Sequence, residues 1–596
     1  LLFGVAVPFA FSRKTGRAAG WSHMNRGDMS ARKKRWEVLD PAPPSFSNAL
    51  RDYSPIVATL LYQRDIRERS AIESFFTRDY KREIHDPFLL KGMDVAARRV
   101  AQAISEGEPI AVYGDFDTDG VTAVALLMQA ITAMGGDIRP YIPHRLSEGY
   151  GLNIEAIDSL VKEGVRLLIT VDCGISNAAE VAHANSVGLD VIVTDHHTPP
   201  PILPDALAVV NPKQPGCPYP FKQLVGVGIA YKLVQALVRL NMELPLKSRD
   251  LLDVVALGTV TDMGPLYGEN RVLVRAGLDA INRTERPGLK ALILASGLAL
   301  GKVRSTDISF MLGPRLNAAG RLDDARLAYQ LLLAEDFASA QKYAEELNTA
   351  NRKRQEMTKE VQQAALEQIR ALGKDTNRIT VLDGAYPAGV VGLVAAKLVE
   401  ELARPVLLLE RGDEVSRGSA RSIPGFSIIE ALASCEDLFV RYGGHSAAAG
   451  FTIANDRLPE LERRLLEYAE TRLPEQPQPV LEIHAEAPLQ IINWQLQEQL
   501  AALEPFGQSN PQPVLLSRRV RVSGAWARGM EGQHLKLRID DGNGGPSFDA
   551  IAFRLGNLAT YFQRPRFIDI AYTLEANEWN GNRTLQLNIK DFRQPQ

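Results

Sequence analysis

From Pro109 onward, short apolar runs alternate with longer stretches whose apolar residues recur at helical spacing. Residues 109–115 (PIAVYGD) are a run of β-formers, and 121–135 (VTAVALLMQAITAMG) follow with the period of a helix. The runs 166–172 (RLLITVD) and 189–195 (LDVIVTD) repeat the strand signal, each ahead of a polar turn and another helical stretch. Apolar strands separated by helices predict a parallel, doubly wound α/β sheet. Residues 224–333 read mostly as helices. Residues 338–372 are highly charged and free of proline, which predicts one helix on the order of 50 Å long connecting two lobes. Strand signals at 378–383 and 404–410 around a helix over 390–402 predict a second α/β lobe, again with a parallel sheet. After the proline-rich 473–479, which reads as a linker, the chain becomes strand-like and is punctuated by glycine.

These shifts divide the chain into a tail (1–46), an α/β domain with an N-terminal extension (47–336), a connector helix (337–373), a second α/β domain (374–475), and a linker with a β-module (476–596). The apolar stretch 1–11 precedes three basic residues within 12–17, the reverse of a secretory signal. It is also too short to span a bilayer, and no later run is long enough. The chain starts with Leu, so an extended or mis-assigned start is expected, with Met24 or Met29 as better initiators and a disordered tail.

Composition narrows the class. Of 596 residues 45% are hydrophobic and 23% charged, which excludes collagen-like, mucin-like and wholly disordered chains. A net charge of −3 excludes a uniformly basic nucleic-acid coat. A local basic surface is not excluded, since 511–596 holds 12 Lys/Arg against 8 Asp/Glu. Three cysteines, Cys173, Cys217 and Cys435, with no CxxC pair, make neither a disulfide framework nor a zinc site. A reducing, cytoplasmic compartment is expected.

The predicted strands of the first lobe end in acids and histidines. GDFDTDG supplies Asp115, Asp117 and Asp119, VDCG supplies Asp172, TDHH supplies Asp195, His196 and His197, and LGTVTDMGPL supplies Asp262 from a helix end. In open α/β sheets, ligands sit outside the carboxyl ends of the strands. Mixed oxygen and nitrogen donors suit Mn²⁺ or Mg²⁺ better than structural zinc, and six of them suffice for two ions sharing a carboxylate. A single strand-end acid such as Asp172 is also a common helix cap, and Asp195 also fits a role orienting an imidazole. The adjacent histidines and the Asp117–Asp119 pair on a glycine turn decide for a metal site.

GDFDTDG, TVDCGIS, VIVTDHH and VALGTVTDMGPL, in this order, resemble the DHH phosphoesterase superfamily and, within it, the RecJ family of single-stranded-DNA-specific exonucleases. DPFLLKGMD (86–94), GVGIAYKL (226–233) and GPRLNAAGRLDDA (313–325) extend the resemblance. GSARS (418–422) and GGHSAAAGF (443–451) are similar to a DHHA1-type domain, and EPFGQSNPQP (504–513) to the approach to an OB-fold. The resemblance covers residues 47–594. It implies two α/β lobes of DHH and DHHA1 type, joined by a long helix, and a C-terminal OB-fold barrel. It implies that Asp117, Asp119, Asp172, His196, His197 and Asp262 carry two divalent ions, with Asp172 bridging, while Asp115 and Asp195 orient ligands. His197 has the alternative of touching phosphate or acting as an acid. The implied activity is 5′→3′ hydrolysis of single-stranded DNA to 5′-mononucleotides in recombination and repair. A monomer without membrane contact, served by a RecQ-type helicase and single-strand-binding protein, is the implied setting.

Phosphate contacts are expected from Arg145, which follows a strand, and from Arg315 and Asn317 in a Gly/Pro-bounded loop, because a guanidinium grips phosphate bidentately. Arg321 fits either phosphate or the neighbouring Asp323 and Asp324. Gly444 and His445, with the alanines after them, fit either tight packing or close approach to a ligand. Ser419, Arg421 and Ser422 are expected to hold a 5′-terminal or adjacent phosphate. In the β-module, Trp526, Phe553, Tyr561, Phe562, Tyr572 and Trp579 lie among basic residues, as on an OB-fold that stacks single-stranded bases. Each also fits the core, and Trp579, in a turn, is the expected exposed platform.

Overall fold

The computed structural model describes residues 34–596 except 78, 146, 323, 475–477, 580 and 596, and of Trp579 only the backbone. Residues 1–33 of the expected tail, with Met24 and Met29, lie outside the described residues, as does Asp323. The tail ends sooner than expected. Helix α1 (Pro44–Ala49) begins inside it, with proline in its first turn, and α2 (Pro55–Gln63) and α3 (Arg69–Phe76) follow.

The first sheet is built from β1 (Ile110–Gly114), β2 (Ile138–Tyr141), β3 (Leu167–Val171), β4 (Asp190–Thr194) and β5 (Ala208–Val210). The spatial order is β2-β1-β3-β4-β5, and every ladder is parallel. Alternate residues feed two cores: Ile110 and Val112 of β1 face one apolar cluster, Ala111 and Tyr113 the other. That is why these strands read as continuous apolar runs. Helix α4 (Thr118–Ala133) follows β1, and α5 (Gly226–Arg239) and α6 (Leu252–Thr261) pack beside it. Nearly every residue of α6 is buried, so it is apolar all round and shows no amphipathic stripe. Helix α7 (Gly313–Leu322) is preceded by one wide π-helical turn, Ile308–Leu312. The connector is one 35-residue helix, α8 (Phe337–Ala371), about 50 Å long.

Beyond α8, β6 (Thr380–Gly384), α9 (Ala388–Leu402), β7 (Val406–Arg411), β8 (Val415–Arg421), β9 (Phe439–Gly444) and β10 (Ala448–Ala454) form the second lobe. Its sheet order is β9-β10-β8-β7-β6. The expected parallel pairing holds only for β6–β7, which α9 connects; the other ladders are antiparallel. The reason is connection length: tight turns after β7 and β9 leave no room for a crossover.

The last module is a closed barrel of β11 (Leu515–Arg528), β12 (His534–Asp540), β13 (Ser547–Ala552), β14 (Arg566–Trp579) and β15 (Asn582–Arg593). The order β11-β12-β13-β15-β14 closes by pairing β14 with β11; β13–β15 is its parallel ladder. Helices α2 and α3 belong to this core: Ile56, Val57, Leu60, Leu61 and Ile72 share one apolar cluster with Leu503, Leu515, Leu537 and Ile570. The N-terminal extension, expected with the first α/β domain, thus completes the barrel module.

Two compact units result. Of the described residues, one comprises 36–363 with 482–596, the other 34–35 with 364–481. Among the described residues no helix is long and apolar enough to cross a membrane.

Candidate metal centre

Register brings the acids together. Gly114, Val171, Thr194 and Val210 lie side by side at the strand ends, so Asp115, Asp172, Asp195 and Asn211 leave the sheet along one edge. Asp117 caps α4: its Oδ1 accepts from the amides of Asp119 (2.9 Å) and Gly120 (3.2 Å). The buried Asp119 accepts from the first two amides of α5, Gly226 (2.6 Å) and Val227 (2.9 Å). Asp262 arrives from the end of α6. Asp172 sits at φ 62°, a left-handed conformation that aspartate tolerates better than most residues. No side chain can replace hydrogen at Gly226, whose Cβ would stand 2.6 Å from that of Asp172.

Seven side chains converge within ligand reach. Donor atoms of Asp172, His196 and His197 lie within 4.8 Å of one another, as do those of Asp119, His196 and Asp262, and those of Asp115, Asp117 and Asp172. His196 Nε2 stands 3.1 Å from Asp172 Oδ1, 3.7 Å from Asp262 Oδ2 and 4.0 Å from Asp119 Oδ2. Yet His196 Nε2, Asp172 Oδ1 and Asp115 Oδ1 are buried without a hydrogen-bond partner. Buried donor atoms this close together and without hydrogen-bond partners are what a cation needs.

The electrostatics agree. Burial first, and the neighbouring acids second, push Asp115, Asp172 and Asp262 well above the carboxylate range and Asp119 up to about 7. So many acids stay ionised together only beside positive charge. Burial and the neighbouring His197 push His196 down to about 3, which leaves a neutral imidazole with a free lone pair. The donor set therefore fits hard divalent ions.

Asp115 was expected to orient ligands; its orphaned oxygen stands in the donor cluster itself. Asp195 Oδ1 accepts from His197 Nδ1 at 2.8 Å and its Oδ2 from the Ile175 amide at 3.0 Å. Burial, the largest single influence, opposes the charged ring of His197, but the hydrogen bond to Asp195 and the charges of Asp195, Asp115 and Asp117 together raise its pKa. Two neighbours escaped the sequence reading. The Tyr150 hydroxyl lies 3.2 Å from both His197 Nδ1 and the Asp172 carbonyl. Lys213 follows β5 on the same edge and offsets the charge of Asp262. The strand-end rule, applied to β5, finds Lys213; nothing local marks Tyr150.

Among the expected phosphate contacts, Arg145 lies 4.6 Å over the Phe116 ring and lowers the Asp115 pKa. Arg315 donates to Asn348 Oδ1 (3.1 Å) and the Met311 carbonyl (2.7 Å). Asn317 braces the acidic loop, its Oδ1 accepting from the Thr118 amide and hydroxyl. Arg321 is half-buried in the last turn of α7. In the second unit, Arg421 donates to Ser419 Oγ (2.8 Å), and Gly392 of α9 leaves room for both. Ser422 is committed to the Phe426 carbonyl (2.7 Å). Gly444, at φ 149°, and the exposed His445 shape the β9–β10 hairpin. Trp579 ends β14; its side chain lies outside the described residues.

A parallel sheet with this edge defines the DHH class, and the family models agree. Residues 109–259 match the DHH family, N-terminal domain, 376–473 the DHHA1 domain and 483–591 the RecJ OB domain. The chain is 39% identical over 94% of its length to the single-stranded-DNA-specific exonuclease RecJ of Bacillus subtilis, covering 71% of that protein. It is 36% identical to the Escherichia coli RecJ over 84% of this chain and 90% of that one. The chain belongs to the RecJ family. The crystal structure of Thermus thermophilus RecJ in complex with Mn²⁺ superposes with a TM-score of 0.79 at 34% identity, over 94% of this chain and 80% of that one. The Mg²⁺ complex from the same organism gives 0.73 at 31% identity, over 94% and 79%.

Proposed function

We propose that this chain is a metal-dependent exonuclease that degrades single-stranded DNA from the 5′ end to 5′-mononucleotides in recombination and repair. The observation that carries this is the pair of orphaned, mutually facing donors, His196 Nε2 and Asp172 Oδ1, at the centre of seven ligating side chains. Asp117, Asp119, Asp172, His196, His197 and Asp262 would hold two divalent ions, Mn²⁺ or Mg²⁺, with Asp172 shared and Asp115 a further donor. When bound, such ions lower the pKa of water and offset charge on the reacting phosphate. The chain's own residues do the positioning. Asp195 fixes the ring of His197, whose raised pKa suits a proton held near the scissile phosphate. Arg145 and Lys213 supply cations beside the acids, where phosphate oxygens would lie, and Arg315 on α7 would reach a phosphate further along the strand.

In the second unit, Ser419 and Arg421 supply an anion-binding pair for a 5′-phosphate. The barrel would hold the trailing strand. The enzyme would work as a cytoplasmic monomer, fed by a RecQ-type helicase and single-strand-binding protein. The five domains would follow the limits 1–46, 47–336, 337–373, 374–475 and 476–596, with α2 and α3 packed into the barrel module.

The test is manganese with 5′- and 3′-labelled oligonucleotides, single- and double-stranded. Immediate release of 5′-labelled mononucleotide from single strands alone is expected. Label released first from the 3′ end overturns the polarity, and cleavage confined to dinucleotides overturns the substrate class.

A further inference from the structure

Phe310 is 76% exposed, on the π-helical turn that leads into α7. A lone exposed aromatic is ordinary; its neighbours make this one informative. Ile308 and Leu312 of the same turn are buried in the core. One face of α7 is packed against the metal loop. Gly313 abuts Thr261, so closely that a Cβ would stand 2.2 Å from Cγ2. Asn317 holds Thr118, and Gly320 lies under the Phe116 carbonyl. Positions 313, 317 and 320 recur at helical spacing and form that packed face. Phe310 stands on the wide turn just ahead of Gly313, whose neighbour Thr261 directly precedes Asp262 and Met263 in the chain. Met263 is itself 67% exposed and held at φ 58°. The left-handed Met263 closes the C-terminus of α6, where the Gly264 amide donates back to the Thr259 carbonyl at 2.9 Å. Wide π turns, by contrast, recur at functional sites.

We propose that Phe310 is a stacking shelf for one nucleobase of the strand at the metal centre. It stands on the turn ahead of Gly313, which abuts Thr261, the residue before Asp262. Phe310 lies about 10 Å along the helix from Asn317, roughly one to two nucleotides from the metal loop. A base, unlike a phosphate, needs no cation there, and a π-face accepts any base. The shelf would hold the reacting phosphodiester still beside Asp172 and His196. This rests on the exonuclease reading above, and its test separates the two.

The experiment walks a single abasic residue along the first nucleotides of a 5′-phosphorylated oligonucleotide, with the full-length protein in manganese. In the wild type, an abasic residue at one register should lower kcat/KM by roughly 5- to 150-fold, the span of base stacking on an aromatic side chain. Phe310→Ala should lower kcat/KM on the intact strand by the same factor and show no further loss at that register. Phe310→Trp should restore the wild-type pattern. Matching melting temperatures show that the variants are folded, which the exposure of the ring favours. Multiplicative losses from variant and abasic residue, or wild-type rates for Phe310→Ala on bare oligonucleotides, overturn the proposal; the latter moves Phe310 to a protein contact. Absence of cleavage by the wild type would overturn the exonuclease reading instead.

Discussion

Asn317 Oδ1 accepts two hydrogen bonds from Thr118, one from the amide and one from the hydroxyl, each at 2.8 Å. Thr118 stands between Asp117 and Asp119, so α7 fixes the pitch of the acidic loop from outside the donor set. Asn317→Ala leaves two buried donors unpaired, a cost of about 1–3 kcal/mol. Partners behind a ligand typically tune metal affinity by about 10–100-fold. A rise of that size in the manganese needed for half-maximal hydrolysis is expected, with a lower melting temperature. An unchanged manganese requirement would make Asn317 a stability residue alone.

Asp172→Asn isolates the carboxylate charge, because asparagine also tolerates the left-handed backbone at this position. Without metal, the variant should melt at or above the wild type, since one crowded, buried acid is gone. Manganese should raise its melting temperature much less than that of the wild type, and hydrolysis should fall by at least about hundredfold. Near-normal turnover in manganese would sink the metal assignment.

His484 gives a pH dependence far from the metals. Burial first, and Arg64 second, push its pKa down to about 4, and its Nδ1 accepts from the Val514 amide at 3.2 Å. The unfolded chain, with its histidine near 6.5, binds this proton more readily. Stability is therefore fully present above pH 6.5 and lost as the pH falls toward 4. Between pH 7.5 and 5 the contribution is about 2 kcal/mol. His484→Asn keeps an acceptor that does not titrate, so denaturant melts should show a smaller acid-side loss by that amount. Parallel pH profiles for variant and wild type would refute the assignment.

On the barrel, Gly524 leaves the space that the Trp526 ring fills: a Cβ there would stand 2.5 Å from Cη2. Trp526 is exposed and pairs across the ladder with Lys536 of β12, the second barrel strand, which belongs to the face that OB-folds use for nucleic acid. Trp526→Ala should weaken binding to long single strands by about 1–3 kcal/mol. It should spare cleavage of a saturating short oligonucleotide. Gly524→Val, which displaces the ring, should reproduce part of the loss. Fluorescence anisotropy at two salt concentrations measures both; equal affinity would return Trp526 to a structural role. Deleting the barrel is the poorer test, because Ile56, Leu60 and Leu61 would lose their core.

Much of the metal site was legible because strand-end chemistry follows from pattern: Asp117, Asp172 and His196 each stand just past an apolar run. Function in a loop is less legible. Tyr150 reaches His197 across 47 positions, and no local spacing encodes that meeting. The hold of Asn317 on Thr118 was not legible, because an amide beside arginines reads as a phosphate contact and nothing local shows where its oxygen goes. The second sheet was expected parallel because apolar strands flanking a helix look alike whether or not hairpins follow. The place of α2 and α3 was not legible at all: an apolar stripe records that a partner exists, not which of two cores it joins.

That last arrangement has a consequence for synthesis. The apolar face of α2 emerges from the ribosome near the start of the fold, but the strands that cover it come last, some 500 residues later. At about 5–20 residues per second, Ile56, Val57 and Leu60 wait roughly 25–100 s for their cover. The first α/β lobe can close behind the growing chain, whereas the barrel module can only assemble once translation is all but finished. A nascent chain of this protein thus carries an open apolar stripe for most of its synthesis, and its yield should depend on chaperone capacity more than that of the first lobe expressed alone.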